Sequence, residues 1–408
     1  MRILFVTPYA PSPIRVRPYN FLKQLSRHNE VTLVSLACGD PSEDQHLDEM
    51  RDCCASVHVM HLGKLRAYLN CAKHLFTTTP LQAAYTHFPE CERVIKRLAE
   101  ENSCDLVHVE HIRGAHLVRG IDRLPKIYDS VDCITRLLRQ RLENGGAGFA
   151  SRTLDREELL KMHSYEARTA AAFDRVIITS EQDKKSLEEL ITQSDHLDTP
   201  ISVIRNGVDS DYFKPIDGLP EDIELVFSGK MSYSPNVSAI LGFYRDVFPI
   251  VRAALPGARL KIVGSSPTEP VLRLANDPNV TVTGYVPDIR PHLASAKVVI
   301  CPLTIWVGIQ NKVLEAMAMG KAVMSTALSF QGIPEAVDGR HMLIADDPED
   351  MANGILKLID DRARARVLGK NALSLVRESY SWEASTRQLE SLYGGAIESA
   401  KYRAHAAP

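Results

Sequence analysis

No stretch of this sequence is long and apolar enough to cross a membrane. The best candidate, residues 298–309, carries Pro302 and follows Lys297, and it falls short of the ~18 apolar residues that a span needs. The N-terminal run MRILFVTPYAP is too short in its apolar part for a secretory signal and ends in prolines, so it reads as a first buried strand. An excess of one charge is also missing. The formal net charge is −3 over 408 residues, which argues against nucleic acid as the main partner. Cysteine motifs are absent: eight cysteines are scattered, only Cys53 and Cys54 are adjacent, and no CxxC or Cys/His spacing marks zinc or a disulfide framework. The expectation is reduced thiols in a cytoplasmic protein, or one peripheral on the inner membrane face. Glycine is missing where a dinucleotide site would need it. The first strand leads into PYAPSPIRVRPYN, which removes the main support for a nicotinamide-binding first domain. The cluster Gly145-Gly146-Ala147-Gly148 follows a charged helical run and not a strand, so it reads as a loop.

What is present is an alternation of short β-branched runs with longer helical patterns. Strands are expected at 2–7, 30–35, 56–61, 106–110, 126–129, 175–179 and 201–204, and again at 224–228, 259–263, 280–283, 297–301, 322–325 and 341–344. Helical patterns fill gaps such as 19–27, 88–101, 152–173, 182–191, 237–254, 288–295 and 348–360. Such alternation means parallel sheets covered on both faces. A chain of this length calls for two domains of roughly 200 residues each. The turn-rich segment NGVDSDYFKPIDGLP marks the break. The expected fold class is α/β, with two doubly wound Rossmann-like domains facing a cleft. The boundaries are 1–208 for the first domain, 209–382 for the second, and 383–408 for a C-terminal helix that returns to the first.

Three polar clusters need weighing. Asp209-Ser210-Asp211 is a literal DxD, but at an inter-domain turn Asp and Ser are ordinary cap residues. His108, Glu110, His111 and His116 alternate across a strand in a way that suits zinc poorly. Either they are polar groups at the carboxyl end of a parallel strand, facing the cleft, or they are hydrogen-bonded loop residues. Residues 62–76, LGKLRAYLNCAKHLF, form a basic amphipathic helix with Lys64, Arg66 and Lys73 beside Leu62, Leu65, Leu69 and Phe76. Such a helix either packs on its own domain with a solvated basic side or rests on an anionic membrane.

One stretch organises the second half: VVICPLTIWVGIQNKVLEAMAMG, residues 298–320. It reads as a buried strand, a short apolar loop and a helix stopped by Gly320. A helix N-terminus at the carboxyl edge of a parallel sheet favours a phosphate. Glu315 stands alone among apolar neighbours. It either meets a hydroxyl-rich phosphate ester, such as a nucleotide ribose, or pairs with Lys312 at helical spacing.

Several segments then fall into an ordered series: FDRVIITS at 173–180, NGVD at 206–209, YFKP at 212–215, FSGK at 227–230, IVG at 262–264, VTGYVPD at 282–288, and NKVLEA at 311–316. This series resembles the retaining, nucleotide-sugar-dependent glycosyltransferases of the GT-B fold, family 4. The resemblance spans nearly the whole chain and is tighter in the second half. It implies that Glu315 binds the nucleotide ribose, and that the turn Gly308, Ile309, Gln310, Asn311 and Lys312 holds the diphosphate and sugar. It implies that Lys230, after Gly229, neutralises the leaving diphosphate, that Asn236 lies on the donor side, and that Tyr285 and Val286 flank the base. Separately, Arg15 or Arg17 is expected to add positive charge across the cleft when the domains close. Asp129 or Asp132 is the polar group near the reacting sugar, and His108, Glu110 and His111 lie on the acceptor side. No metal and no resident cofactor is implied; the co-substrate is a nucleoside diphosphate sugar. The acceptor is open, with 62–76 hinting at a lipid-linked one and a cell-surface polysaccharide or glycolipid product.

The departures from the family pattern are specific. Val307 stands eight positions before Glu315, where relatives carry an acidic residue that contacts donor-sugar hydroxyls. Asn236 stands where a second basic residue is usual. Ser12-Pro13-Ile14-Arg15-Val16-Arg17 replaces a Gly-rich loop, and Tyr128-Asp129-Ser130-Val131-Asp132 occupies the place of a cleft histidine. These departures keep two rivals in view. One is an epimerase or phosphorylase of the same fold; the other is a catalytically silent nucleotide-sugar-binding subunit.

Overall fold

The computed structural model describes residues 1–13, 15–37, 47–101, 103–143, 149–193, 199–216, 218–221, 223–304 and 310–406. Val307, Gly308, Ile309 and the 145–148 glycine cluster lie outside them. The chain divides into two compact units, Met1–Arg205 with Ser385–Pro408, and Asn206–Ala384.

The first unit is built on seven strands: β1 Arg2–Thr7, β2 Glu30–Ala37, β3 Ser56–His61, β4 Leu106–Glu110, β5 Lys126–Val131, β6 Arg175–Ile178 and β7 Ile201–Val203. Their order is β3-β2-β1-β4-β5-β6-β7, and every pairing is parallel. The second unit uses six: β8 Ile223–Ser228, β9 Leu260–Val263, β10 Val280–Val282, β11 Ala296–Cys301, β12 Val323–Ser325 and β13 Leu343–Ile344. Their order, β10-β9-β8-β11-β12-β13, repeats the same winding, again all parallel. Each sheet therefore reverses direction once, between β1 and β4 and between β8 and β11. The carboxyl ends at such a reversal leave a crevice that helices do not cover.

The cores follow from the strand sequences. Leu4, Val6, Val34, Val107, Val109, Val176 and Ile178 are fully buried in the first unit. Leu225, Val226, Phe227, Ile262, Val298 and Ile300 play the same part in the second. All thirteen expected strands form, with ends displaced by at most two residues.

Helix limits moved more, for identifiable reasons. The pattern at 237–254 is two helices, Ser234–Asp246 and Phe248–Ala254, because Pro249 has no N–H to continue the ladder and instead opens a new helix. The first helix begins at Val16, with Pro18 inside its first turn. The C-terminal helix runs Trp382–Ala406. From Ser385 it belongs to the first unit, where Glu390 accepts from Asn29 Nδ2 at 2.6 Å and Ser399 Oγ accepts from Arg175 at 3.3 Å. Among the described residues no helix is long and apolar enough to cross a membrane, and the seven described cysteines are free.

Candidate functional site

In the second unit the carboxyl ends of β8, β9 and β10 are each followed by a glycine with positive φ: Gly229 at 145°, Gly264 at 149° and Gly284 at 68°. They lie in a row. Gly264 N–H donates to the Gly284 carbonyl at 3.2 Å, and a Cβ on Gly264 would sit 1.8 Å from the Gly229 carbonyl oxygen. No side chain fits there, so the strand ends stay bare of side chains where a ligand could approach the backbone. A Cβ on Gly229 would lie 2.7 Å from Asn236 Nδ2 and 3.3 Å from Lys312 Nζ. The sequence reading quoted all three glycines within motifs but gave a role only to Gly229. Their shared position, one or two residues past a strand end, was the available signal.

Lys312 is the residue whose placement changes the reading most. Its ammonium donates to Asn236 Oδ1 and lies 5.0 Å from the Phe227 ring centroid. Asn236 in turn donates to the Lys230 carbonyl at 3.0 Å. One hydrogen-bonded chain thus ties the first turn of the helix Asn311–Ala318 to the loop after β8. Asn236, in place of a second basic residue, holds a lysine that comes from another element. The Lys230 side chain is exposed.

Lys312 and Glu315 form no direct ion pair among the described residues, though each feels the other's charge. Glu315 is half-buried, and loss of water pushes its carboxyl up to about 7, with Lys312 pulling the other way. Burial also lowers Lys312. Gln310 occupies the N-cap position of this helix without a side-chain capping bond and is buried. Among the described residues Asn311 Oδ1 and Ser228 Oγ are buried with no hydrogen-bond partner, an arrangement that costs free energy unless a polar group meets them. Gly320, with φ 67°, ends the segment as expected. Tyr285 is 77% exposed, and Val286 packs partly on the core. Asp209 Oδ1 accepts from the backbone N–H of Asp211 at 3.1 Å and of Tyr212 at 2.9 Å. The DxD is therefore a capped turn.

The first unit places its expected residues differently from one another. Asp129, at the carboxyl end of β5, is buried. Arg17 Nε donates to it at 2.6 Å, while Arg17 Nη1 donates to the Ile204 carbonyl at 2.9 Å. Arg17 is thus a structural cation locked beneath the sheet edge, at 3% exposure. The expectation that Arg17 adds positive charge across the cleft is corrected, since a desolvated guanidinium paired with Asp129 does not leave its carboxylate cheaply. A bulge follows Asp129, and Val131 takes φ 66°, a strained value for a β-branched residue. Val131 N–H donates to Asp129 Oδ1 at 3.1 Å. Asp132 is half-buried, accepts from Thr179 Oγ1 at 3.5 Å, and is pushed up to about 6 chiefly by burial.

His108 is also corrected as an acceptor-side residue. It is fully buried, stacked on Phe5 with centroids 4.1 Å apart, and its Nδ1 meets the Tyr393 hydroxyl at 2.8 Å. Burial holds it neutral. It anchors the C-terminal helix. Glu110 and Asp129 are register partners on adjacent strands. Glu110 accepts from Tyr9 Oη at 2.9 Å, and burial beside Asp129 raises its carboxyl to about 8. His111 has φ 63°, accepts from Arg113 N–H at 3.3 Å through Nδ1, and is depressed to about 3. His116 leaves this group altogether and lies with His87 and Glu92. Arg15 is exposed, its guanidinium 4.5 Å from the Tyr9 ring centroid. Tyr9 and Arg113 were missed by the sequence reading, and nothing local marked them.

Helix Lys64–His74 buries only Ala67 and Asn70. Leu65, Tyr68, Leu69 and the nearby Phe76 are 74%, 64%, 51% and 96% exposed. The domain-packing alternative placed the apolar side inward; instead the small side faces in and the apolar side faces out. Arg66 is not a free cation, since it donates to Glu90 at 3.0 and 2.8 Å.

Two doubly wound parallel units with reversed strand order, linked by a returning C-terminal helix, define the GT-B class. Residues 222–361, which lie in the second unit, match the family described as Glycosyl transferases group 1. Solved structures of the same fold span the chain. Sucrose-phosphate synthase from Thermosynechococcus elongatus superposes with a TM-score of 0.69 at 16% identity, covering 98% of this chain and all of that one. HepE of Anabaena, solved with UDP-glucose, gives 0.66 at 16% identity over 97% and 100%. TarM gives 0.64 at 11% over 96% and 99%. A curated relative, an uncharacterized glycosyltransferase of Methanocaldococcus jannaschii, is 29% identical over 89 residues, which is 21% of this chain and 22% of that one.

Proposed function

We propose that the chain is a retaining, metal-independent glycosyltransferase that moves a hexosyl group from a nucleoside diphosphate sugar to an acceptor hydroxyl. The observation that carries this reading is the arrangement Gly229–Lys230–Asn236–Lys312–Glu315 inside the segment that matches Glycosyl transferases group 1. The difficulty in such a reaction is charge. As the bond between the anomeric carbon and the diphosphate breaks, the leaving group gains negative charge while the sugar becomes cationic. A helix N-terminus, the ammonium of Lys312 and the exposed Lys230 supply fixed positive charge next to bare backbone. Glu315 then accepts from ribose hydroxyls, and the unpartnered Asn311 Oδ1 and Ser228 Oγ gain partners from the donor. Unit 1 takes the acceptor. Peripheral membrane contact through 62–76 and a role in surface polysaccharide or glycolipid assembly belong to the same proposal.

The test is a screen of nucleoside diphosphate sugars by thermal shift and by turnover, beginning with UDP-glucose, since a bound donor raises stability by mass action. Lys230→Ala is expected to lose about 10²–10³ in turnover, and Glu315→Ala to weaken nucleotide binding most. Full turnover in either variant would remove the site assignment. Donor conversion without any acceptor would point to an epimerase, a requirement for free phosphate to a phosphorylase, and binding without donor consumption to a silent subunit.

A further inference from the structure

A pocket of about 390 Å³ opens in the first unit, beside the segment that follows β1. Tyr9 and Arg15 line it from that segment, Arg113 from the short helix after β4, and Cys71, Gln82 and Tyr85 from the helices facing them. Its electrostatics are one-sided. Among the described residues neither Arg15 nor Arg113 has a carboxylate partner, and Arg113 Nε is buried without a hydrogen bond. The nearby acids make their hydrogen bonds to other groups, although the charge of Glu158 is felt at Cys71 in the pocket wall. Glu158 is occupied as a cap, accepting from the backbone N–H of Leu81 at 2.8 Å and of Gln82 at 3.1 Å. Glu110 lies behind Tyr9, whose hydroxyl donates to it, and its raised carboxyl is mostly protonated at neutral pH. Two guanidinium groups in one concave site, neither held in an ion pair among the described residues, fit an oxyanion.

The pocket is also larger than a bare phosphate needs and falls in the range of organic ligand sites. One wall continues outward. Cys71 belongs to helix Lys64–His74, and Tyr85 meets Tyr68 of the same helix edge-on, with centroids 6.0 Å apart. Tyr68 begins the exposed apolar stripe with Leu65 and Leu69. A polar end of the site thus grades into an apolar, water-facing one.

We infer that this pocket binds the phosphate of a long-chain phosphate ester, with Arg15 and Arg113 on the anion and the chain running over Tyr85, Tyr68 and Leu65. The inference rests on the reading that unit 1 takes the acceptor, and it names that acceptor's class.

Farnesyl phosphate, farnesol and inorganic phosphate serve as probes of the full-length chain, below the micelle limit, by calorimetry. Farnesyl phosphate is expected to bind about 10- to 100-fold more tightly than farnesol, the span of one or two charged hydrogen bonds. It should bind more tightly than inorganic phosphate by a similar factor. Arg113→Gln and, separately, Arg15→Gln should each lose about tenfold for farnesyl phosphate and leave farnesol unchanged, with Arg113→Lys recovering part. The donor-induced thermal shift of Arg113→Gln should equal that of the parent, which also shows the variant folds. Equal affinity for farnesol and its phosphate, or unchanged affinity in both Gln variants, would overturn the inference while a surviving donor shift leaves the proposed function standing. Inorganic phosphate binding as tightly as the ester would overturn the long-chain part. No donor shift in the parent would instead defeat the reading on which the inference rests.

Discussion

At the scale of single residues, the first unit shows how a polar residue at a strand end can be structural. Arg17 and Asp129 form a buried pair at 2.6 Å with exposures of 3% and 1%. Removing one partner strands the other charge, so Arg17→Met is expected to destabilise the protein by about 3–5 kcal/mol, read by urea unfolding. Replacing both (Arg17→Met with Asp129→Leu) should recover a large part of that loss. A double variant as unstable as the single one would show that the pair matters through something other than charge. The sequence could not separate Arg17 from Arg15. Both sit in the short stretch SPIRVR, yet Arg15 stays exposed beside Tyr9 while Arg17, in the first turn of the first helix, is covered by Ile204 and Asp129, residues 187 and 112 positions away. The same holds for His108, whose partner Tyr393 lies 285 positions on. Strand period told which side chains share a face; it carried no information on what covers that face.

At the scale of elements the sequence was far more readable. Strands buried on both faces must be short apolar β-branched runs, and that constraint alone located all thirteen. The helix Ser234–Asp246 was run on into the next one because its apolar pattern continues past Pro249, which was the signal to stop. The glycine row was present in the motifs, but its meaning needs the strands to be adjacent: Gly264 is glycine because the Gly229 carbonyl occupies the place of its Cβ, at 1.8 Å. Gly264→Ala is expected to disrupt the carboxyl edge of β8 and β9 and abolish the donor-induced thermal shift. Gly242, inside a helix with nothing within 4 Å, is the contrast: Gly242→Ala should stabilise by about 0.5–1 kcal/mol and keep the shift. Donor binding by Gly264→Ala at parental affinity would mean that the row is not part of the site. The outward apolar face of Lys64–His74 gives a further prediction at this scale. Vesicles of phosphatidylglycerol should bind the parent more strongly than vesicles of phosphatidylcholine. Leu65→Ser with Leu69→Ser should weaken binding to both, because the lost term is apolar burial. A parent that ignores both vesicle types removes the membrane contact.

At the scale of the whole molecule, several buried titratable groups set a stability profile against pH. Glu110 is raised to about 8 and Glu315 to about 7 from an ordinary value of 4.5, and Asp132 to about 6 from 3.8. A carboxyl whose folded value lies above its unfolded value binds more protons when folded. Its contribution is complete below the unfolded value and is lost as pH rises through the folded one. His111 and His116 work in the opposite sense. Burial depresses both to about 3 from 6.5, so their contribution is present above 6.5 and is lost as pH falls toward 3. Stability should therefore decline on both sides of a mildly acidic maximum. The three carboxyls separate by window. Asp132 is fully ionised soon above pH 6 and Glu315 soon above pH 7, which leaves Glu110 as the group whose loss extends furthest toward pH 8. Glu110→Gln keeps the acceptor for the Tyr9 hydroxyl and removes the ionisation. Urea unfolding at pH 5, 7 and 8.5 should show the parent losing more stability than Glu110→Gln across both intervals, because the folded carboxyl keeps its proton from about 4.5 up to about 8 while the unfolded one does not, and above pH 7 Glu110 is the main carboxyl still acting. Parallel profiles above pH 7 would mean that Glu110 is already ionised in the folded protein, and the Tyr9 wall of the first-unit pocket would then back onto a negative charge.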